Sequence, residues 1–589
     1  MNYTETTGDH QTRTEVRDGM RIIWDAPIPM DDGLVLRADV FLPTGNGQYP
    51  VIMTHGPYAK GLAFQEGYPS AWNSLIAEHP DVAAGSTNKY QSWEVVDPEK
   101  WVPYGYACVR VDSRGAGRSP GHLDVFSVRE TKDYHDCIEW AGTQSWSSGK
   151  IGLLGISYYA ANQWQVAALK PPHLTAMCPW EGFADFYRDG SHHGGIYMNF
   201  WDQWLENQLL HVQHGVGERG YKSQVHGEWV AGPETLSEEE LVKNRTSPGV
   251  SFRAPLDGTA YRERSAQWDK IETPFLSAAS WGGQGLHPRG NFEAFMNAAS
   301  NERWLEVHGL EHWTHFLTDY GRTLQKRFFD YFLKDEANDW DKQSPVTLNV
   351  RRPGEHYTLR DETEWPLART QWTKYYLRGT DQCLVDNVPA APALVTYGGL
   401  GDGVTFWLPT QTEEIEICGP MAAKLFVSSQ TEDADLFLIV RVFRPDGKEV
   451  VFKGTTDPHT PFAQGWLRAS HRKLDVKKSL PYRPYHTHDE KQPLTPGQIY
   501  ELDVEIWPTG LIVPEGYRIA LTVQGHDYEW PDGPGIRLSN FSYELRGCGP
   551  FLHNDPKDRP PEIFGGKVIL HTGPQALSYL LLPFIPPKP

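Results

Sequence analysis

Short apolar runs and amphipathic stretches alternate through the first third of the chain. Residues 34–42, LVLRADVFL, alternate apolar and polar positions up to Pro43, which predicts a half-buried strand. The runs PVIMT (50–54) and YACVRVD (106–112) predict buried strands, and each ends in a turn-rich loop, HGPYAKG and SRGAGRSPG. Residues 129–143 carry a helical period with Tyr134, Ile138 and Trp140 on the buried side. IGLLGI (151–156) reads as a strand that runs directly into a helical pattern, SYYAANQWQVAALK, and LTAMC (174–178) starts the next strand. Strands alternating with helices imply a mostly parallel sheet covered on both faces. In such sheets, function gathers in loops at the carboxyl ends of the strands.

Residues 196–255 break this rhythm. IYMNFWDQWLENQLLHVQHG is aromatic-rich with a helical pattern, and LSEEELVKN places an N-capping Ser before a run of Glu. The segment is expected to be a helical insertion over the sheet. The alternation resumes at PFLSAAS (274–280) and RWLEVH (303–308), followed by a helix over about 320–334. Beyond residue 345 the texture becomes short alternating runs separated by PDG, PEG and TPG turns, which predicts an antiparallel β-sandwich or jelly roll. The expected organisation is a core in two parts, 1–195 and 256–345, a cap at 196–255, and a β-rich unit at 346–589.

Composition narrows the function classes. With 55 basic and 75 acidic residues the formal charge is -20, which argues against nucleic-acid binding or docking on anionic lipid. No run approaches the ~18 apolar residues of a membrane span, and MNYTETTGDHQTRTEV lacks the apolar core of a secretory signal, so a cytoplasmic location is expected. The six cysteines show no CxxC spacing, and neither a disulfide framework nor a zinc site is expected. His192, His193, His211 and His214 fit no tight metal-ligand spacing and are expected to be pocket or surface groups.

The chemistry concentrates at Gly155-Ile156-Ser157-Tyr158-Tyr159-Ala160. A sharp strand-to-helix turn lifts a Ser hydroxyl clear of the sheet and points the next backbone N–H at a carbonyl under attack. Gly155 meets the demand for a small neighbour, while Tyr159 stands where a simple GxSxG pattern has its second Gly. HGPY (55–58) follows a strand upstream, the place of an oxyanion-side loop. Asp112-Ser113-Arg114-Gly115 is expected to be a structural turn with Asp112 and Arg114 paired.

Together WSSGKIGLLGISYYAANQWQ, HGPYAKG, DSRGAGRS and LFVSSQTEDADLFLIVRVFRPDGK resemble the cocaine-esterase and X-prolyl dipeptidyl-peptidase group of serine hydrolases, in the family's order and over nearly the whole chain. The resemblance implies an α/β-hydrolase domain, a helical cap drawn from two parts of the chain, and a C-terminal jelly roll. It places Ser157 on the nucleophile, the Tyr158 N–H and the Tyr58 phenol on the oxyanion donors, and His312 on the general base, with His315 and His308 as its rivals. The family's aspartate lies in a Gly-Trp-Tyr-Asp-Gly type of loop. Here that loop is Ser280-Trp281-Gly282-Gly283-Gln284-Gly285-Leu286 and contains no carboxylate.

Either the enzyme is impaired or the acid comes from another strand. Glu181, just past the strand after the nucleophile, is the expected acid, with room left by Gly282 and Gly283. Asp185 is the second candidate and Asp319 a weaker one. Trp180, Trp201 and Trp281 are expected pocket residues. The expected activity is hydrolysis of a small-molecule ester or amide through an acyl-enzyme, with no cofactor or metal and a possible homo-oligomer. An acyltransferase or cyclase on the same triad, or a catalytically impaired carbohydrate- or ligand-binding protein, are the alternatives.

Overall fold

The computed structural model describes residues 12–587. Most of the polar N-terminal stretch read above for a leader lies outside the described residues. The first part is built on nine strands: β1 (Met20–Pro29), β2 (Val35–Pro43), β3 (Tyr49–Gly56), β4 (Ala107–Asp112), β5 (Ser147–Ile156), β6 (Leu174–Trp180), β7 (Phe275–Ser280), β8 (Arg303–His308) and β9 (Val346–Arg352). They pair in the order 1-2-4-3-5-6-7-8-9. β1–β2 and β2–β4 are antiparallel, and every later pairing is parallel. This is the α/β-hydrolase order. β9 lies within the part of the chain expected to begin the β-rich unit, yet it extends the hydrolase sheet through Leu305↔Val346, and the next strand, His356–Glu362, pairs antiparallel with it.

Helices cover both faces because the central strands are apolar on both sides. α1 (Val128–Gly142), α2 (Tyr158–Ala167) and α3 (Pro288–Asn297) pack Tyr134, Ile138, Trp164 and Ala294 into one layer. α4 (Asp319–Lys334) packs Phe328, Phe329 and Leu333 into the other. Ser127 caps α1 by accepting from the Glu130 N–H.

The cap is less regular than its periodicity suggests. Phe200–Trp204 is helical and runs into a wider turn over Leu205–Leu209, and the rest is short helices and loops. The Ser237–Glu240 capping box is present. Residues 57–106 add a second, aromatic-rich covering, joined to the first where the Tyr68 hydroxyl donates to Gln208. The C-terminal part is dominated by antiparallel pairs, the longest being Ile415–Ser429 with Tyr500–Val513, and it closes around its own apolar core.

Candidate active site

β5 ends at Ile156 and α2 begins at Tyr158. The single residue between them, Ser157, has φ +55° and ψ -108°, a conformation that costs a non-glycine residue about 1–3 kcal/mol. The neighbouring strand β6 and the helix α2 hold it in place. The Ser157 N–H donates to Trp180 O at 3.1 Å, and its carbonyl accepts from Ala161 N at 2.8 Å. The hydroxyl is left half-buried at the sheet's carboxyl edge, with Oγ 3.0 Å from His287 Nε2.

His287 is the last residue of the loop after β7, directly before Pro288 opens α3. Its Nδ1 lies 3.4 Å from Thr455 Oγ1. For the Ser157 hydroxyl to donate to Nε2, the ring proton must sit on Nδ1, facing Thr455. Burial, and after it the neighbouring His312, hold His287 well below the ordinary imidazole pKa. The ring is therefore neutral at pH 7 and able to accept a proton.

His312 follows β8 and stacks on His287, with ring centroids 5.6 Å apart and planes at 22°. Its Nδ1 is 3.0 Å from Thr455 O, and its Nε2 is 3.0 Å from Glu94 Oε1. Glu94 is buried at φ +61° in the covering loop before α1. Its backbone carbonyl accepts from the Ile156 N–H, one residue before Ser157. Burial raises the Glu94 pKa against the pull of His312. Burial opposes charge on His312, but the carboxylate of Glu94 outweighs it, and that pKa is raised as well.

Glu181 emerges from β6 at φ +52°. Its Oε1 meets His308 Nε2 at 3.0 Å rather than a nitrogen of His312, and His308 Nδ1 meets Glu306 Oε2 at 2.6 Å. Burial opposes charge on His308, but Glu306 and Glu181 outweigh it and push its pKa up to about 9. A Cβ on Gly283 would meet Glu181 Oε2 only at ordinary contact distance, 3.5 Å, and one on Gly282 would strike Lys453 O at 2.2 Å, so neither glycine is what makes room for Glu181. The expected grouping of Ser157, His312 and Glu181 is thus redistributed. Ser157 bonds His287, His312 bonds Glu94, and Glu181 bonds His308, because the end of β8 brings His308 alongside the end of β6 and both nitrogens of His312 are already engaged.

Other expectations need correction. Asp185 accepts from the backbone of Tyr187 and Arg188 and pairs with the Arg188 guanidinium, a structural role. His315 packs on His308, and burial pushes its pKa down to about 3. Trp201 lines the cavity at Ser157. Trp180 and Trp281 do not. Trp180 stacks on His308 and meets Phe316 edge-on, while Trp281 packs on Phe292 and Trp365 and donates to Asn349 O. Asp112 accepts from the backbone of Lys60 and Arg118, and Arg114 pairs instead with Asp133 and Asp32. His193 bonds His553, and His192 bonds Ser191.

Tyr58 and Tyr158 meet edge-on at the cavity, ring centroids 5.9 Å apart. The Tyr58 oxygen accepts from Trp204 Nε1 at 2.9 Å, which leaves its own hydrogen to donate. Burial keeps the phenol neutral. As the first residue of α2, Tyr158 has an N–H with no acceptor inside the helix. The cavity is narrow, about 40 Å³, and walled by Phe126, Phe183, Phe200, Trp201 and Trp204, with Phe541 and Phe551 from the C-terminal part.

Three participants escaped the sequence reading: His287, Glu94 and Thr455. His287 had a signal, since it lies in a loop at the carboxyl end of a strand and directly before a helix-opening Pro. Glu94 is an acid in the aromatic and aliphatic run SWEVV, a weak signal. Thr455 had none, because it reaches the site from a loop of the C-terminal part.

A CocE/NonD family hydrolase from Staphylococcus aureus is 31% identical, with a TM-score of 0.82, and the match covers 100% of this chain and 99% of that one. The chain belongs to the CocE/NonD hydrolase family. It is a serine hydrolase. Residues 32–316 match the X-Pro dipeptidyl-peptidase (S15 family), and residues 338–580 match the X-Pro dipeptidyl-peptidase C-terminal non-catalytic domain. Cocaine esterase of Rhodococcus sp. (strain MB1 Bresler) is 24% identical over 95% of this chain and 97% of its own length. A putative Xaa-Pro dipeptidyl-peptidase of Bacillus anthracis is 20% identical over 84% of this chain and 80% of its own length. Among the described residues no helix is long and apolar enough to cross a membrane.

Proposed function

We propose that this family member hydrolyses carboxylic esters of small apolar acids, with Ser157 as the nucleophile of an acyl-enzyme. The observation that carries the reading is the 3.0 Å contact from Ser157 Oγ to His287 Nε2, made at a strained turn that opens onto an aromatic-walled cavity. His287, rather than His312, receives the Ser157 proton. The Tyr158 N–H and the Tyr58 hydroxyl hold the oxyanion of the tetrahedral intermediate. The aromatic walls favour an apolar acyl group and exclude water from the intermediate. The name of the Rhodococcus relative supports an ester over a peptide substrate, and the antiparallel pairing beyond residue 370 supports a jelly roll there.

A fluorophosphonate probe is expected to label the wild type and not Ser157→Ala. p-Nitrophenyl esters of short acids are expected to turn over, and aminoacyl-prolyl amides are not. An unlabelled wild type defeats the acyl-enzyme reading and returns the fold to a ligand-binding role. Turnover of the amides alone makes the enzyme a peptidase.

A further inference from the structure

Two imidazoles share the Ser157 cavity with a buried carboxylate, and their partners fix where the protons sit. Thr455 O can only accept, so the Nδ1 of His312 carries a proton. The Nε2 of the same ring faces Glu94 Oε1 at 3.0 Å. Both atoms are acceptors when unprotonated, so one proton lies between them. The pair is then either imidazolium with carboxylate or neutral imidazole with carboxylic acid. In both states it is neutral overall and holds one transferable proton. His287 is the opposite case, since its Nε2 accepts from Ser157 and is vacant. The raised pKa of both members of the pair and the lowered pKa of His287 agree with this division.

We propose that the acid and base roles, carried by one histidine in a Ser-His-Asp triad, are here divided between two rings: His287 takes the proton of Ser157, and the His312–Glu94 pair gives its proton to the leaving oxygen. The inference rests on the acyl-enzyme reading above. In acylation, Ser157 Oγ bonds to the carbonyl carbon as its proton passes to His287 Nε2. The scissile C–O bond then breaks, and the leaving oxygen departs as an alcohol with the proton from the His312–Glu94 pair. The site now holds an imidazolium at His287 and a negative charge on the Glu94 side, still neutral in sum. In deacylation, water returns a proton to the His312–Glu94 pair as its oxygen bonds to the acyl carbon. The Ser157–acyl bond breaks, Oγ recovers its proton from His287, and the carboxylic acid leaves. His312 is catalytic in this scheme. Glu94 is a positioning residue that keeps the shared proton in place.

The test uses two esters of one short acid, p-nitrophenyl and ethyl, together with the fluorophosphonate. p-Nitrophenolate leaves without a proton, whereas ethoxide requires one. In Glu94→Gln and His312→Asn, kcat/KM for the ethyl ester is expected to fall about 10²- to 10⁴-fold, and for the p-nitrophenyl ester less than about tenfold. The p-nitrophenyl ester should then give a burst followed by slow turnover, because deacylation still needs the pair, and Ser157 should still be phosphonylated. His287→Asn should lose both esters and the labelling. The wild type supplies a check free of folding effects. Its kcat/KM for the ethyl ester should fall at alkaline pH, as the pair loses its proton, with no matching fall for the p-nitrophenyl ester. Equal losses on both esters with loss of labelling in His312→Asn, or coincident alkaline limbs in the wild type, overturn the division and make His312 the base. A wild type that the probe does not label defeats the acyl-enzyme reading instead.

Discussion

Several non-glycine residues around the site have positive φ, among them Glu94 (+61°), Phe126 (+57°), Ser157 (+55°), Glu181 (+52°) and Leu310 (+69°), which lies two residues before His312. Each costs of order 1–3 kcal/mol and persists only where surrounding structure holds it. At Ser157 the strain lifts the hydroxyl off the end of β5 into the cavity, where it meets His287. Tyr58 reaches the same point from the loop after β3, held by the Trp204 Nε1–H that it accepts. A donor to an oxyanion acts when that charge forms, so removing it lowers kcat more than it changes KM. Tyr58→Phe is therefore expected to lose about 10²- to 10³-fold in kcat with KM nearly constant, measured by steady-state kinetics on a p-nitrophenyl ester. An unchanged kcat removes the phenol from the oxyanion hole.

At the scale of elements, the loop from Ser280 to His287 connects the strand order to the chemistry. It lies backbone to backbone against residues 453–455 of the C-terminal part. A Cβ on Gly282 would sit 2.2 Å from Lys453 O and 2.7 Å from Gly454 Cα, so only glycine permits the approach. The Thr455 N–H donates to Gly282 O, and Thr455 in turn faces both imidazoles. Gly282→Ala is expected to push the two loops apart, lower stability by about 1–3 kcal/mol and cut kcat about 10²-fold through misplaced rings. Thermal unfolding and kcat measured side by side check it. A variant unaltered in both shows that the loops give way without cost.

Across the whole molecule, buried polar contacts join the hydrolase sheet to the β-rich part. Arg289 bridges Asp189 and Glu505, Arg188 donates to His486 O, and His193 meets His553. The buried His308 makes stability depend on pH. Its pKa rises from an unfolded value of about 6.5 to about 9 in the fold, so its contribution is complete below about pH 6.5 and is lost as pH climbs through 9. The loss is up to about 3 kcal/mol. Melting curves between pH 6.5 and 9.5 should show Tm falling, and Glu306→Gln should flatten that fall; parallel slopes in the two proteins rule out His308 as the cause. The alternation of strands and helices, the turn at Ser157 and the β texture of the last third were all legible in the sequence. Period and turn chemistry are local properties, and β5, α2 and β7 match their patterns to within a few residues. Which imidazole meets Ser157 and which carboxylate meets each imidazole was decided by tertiary structure. Those pairs span separations of 130 residues for Ser157–His287 and 218 for Glu94–His312. They depend on the ends of several strands, a covering loop and a loop of the second domain arriving within about 3 Å of one another, a condition that no local pattern encodes.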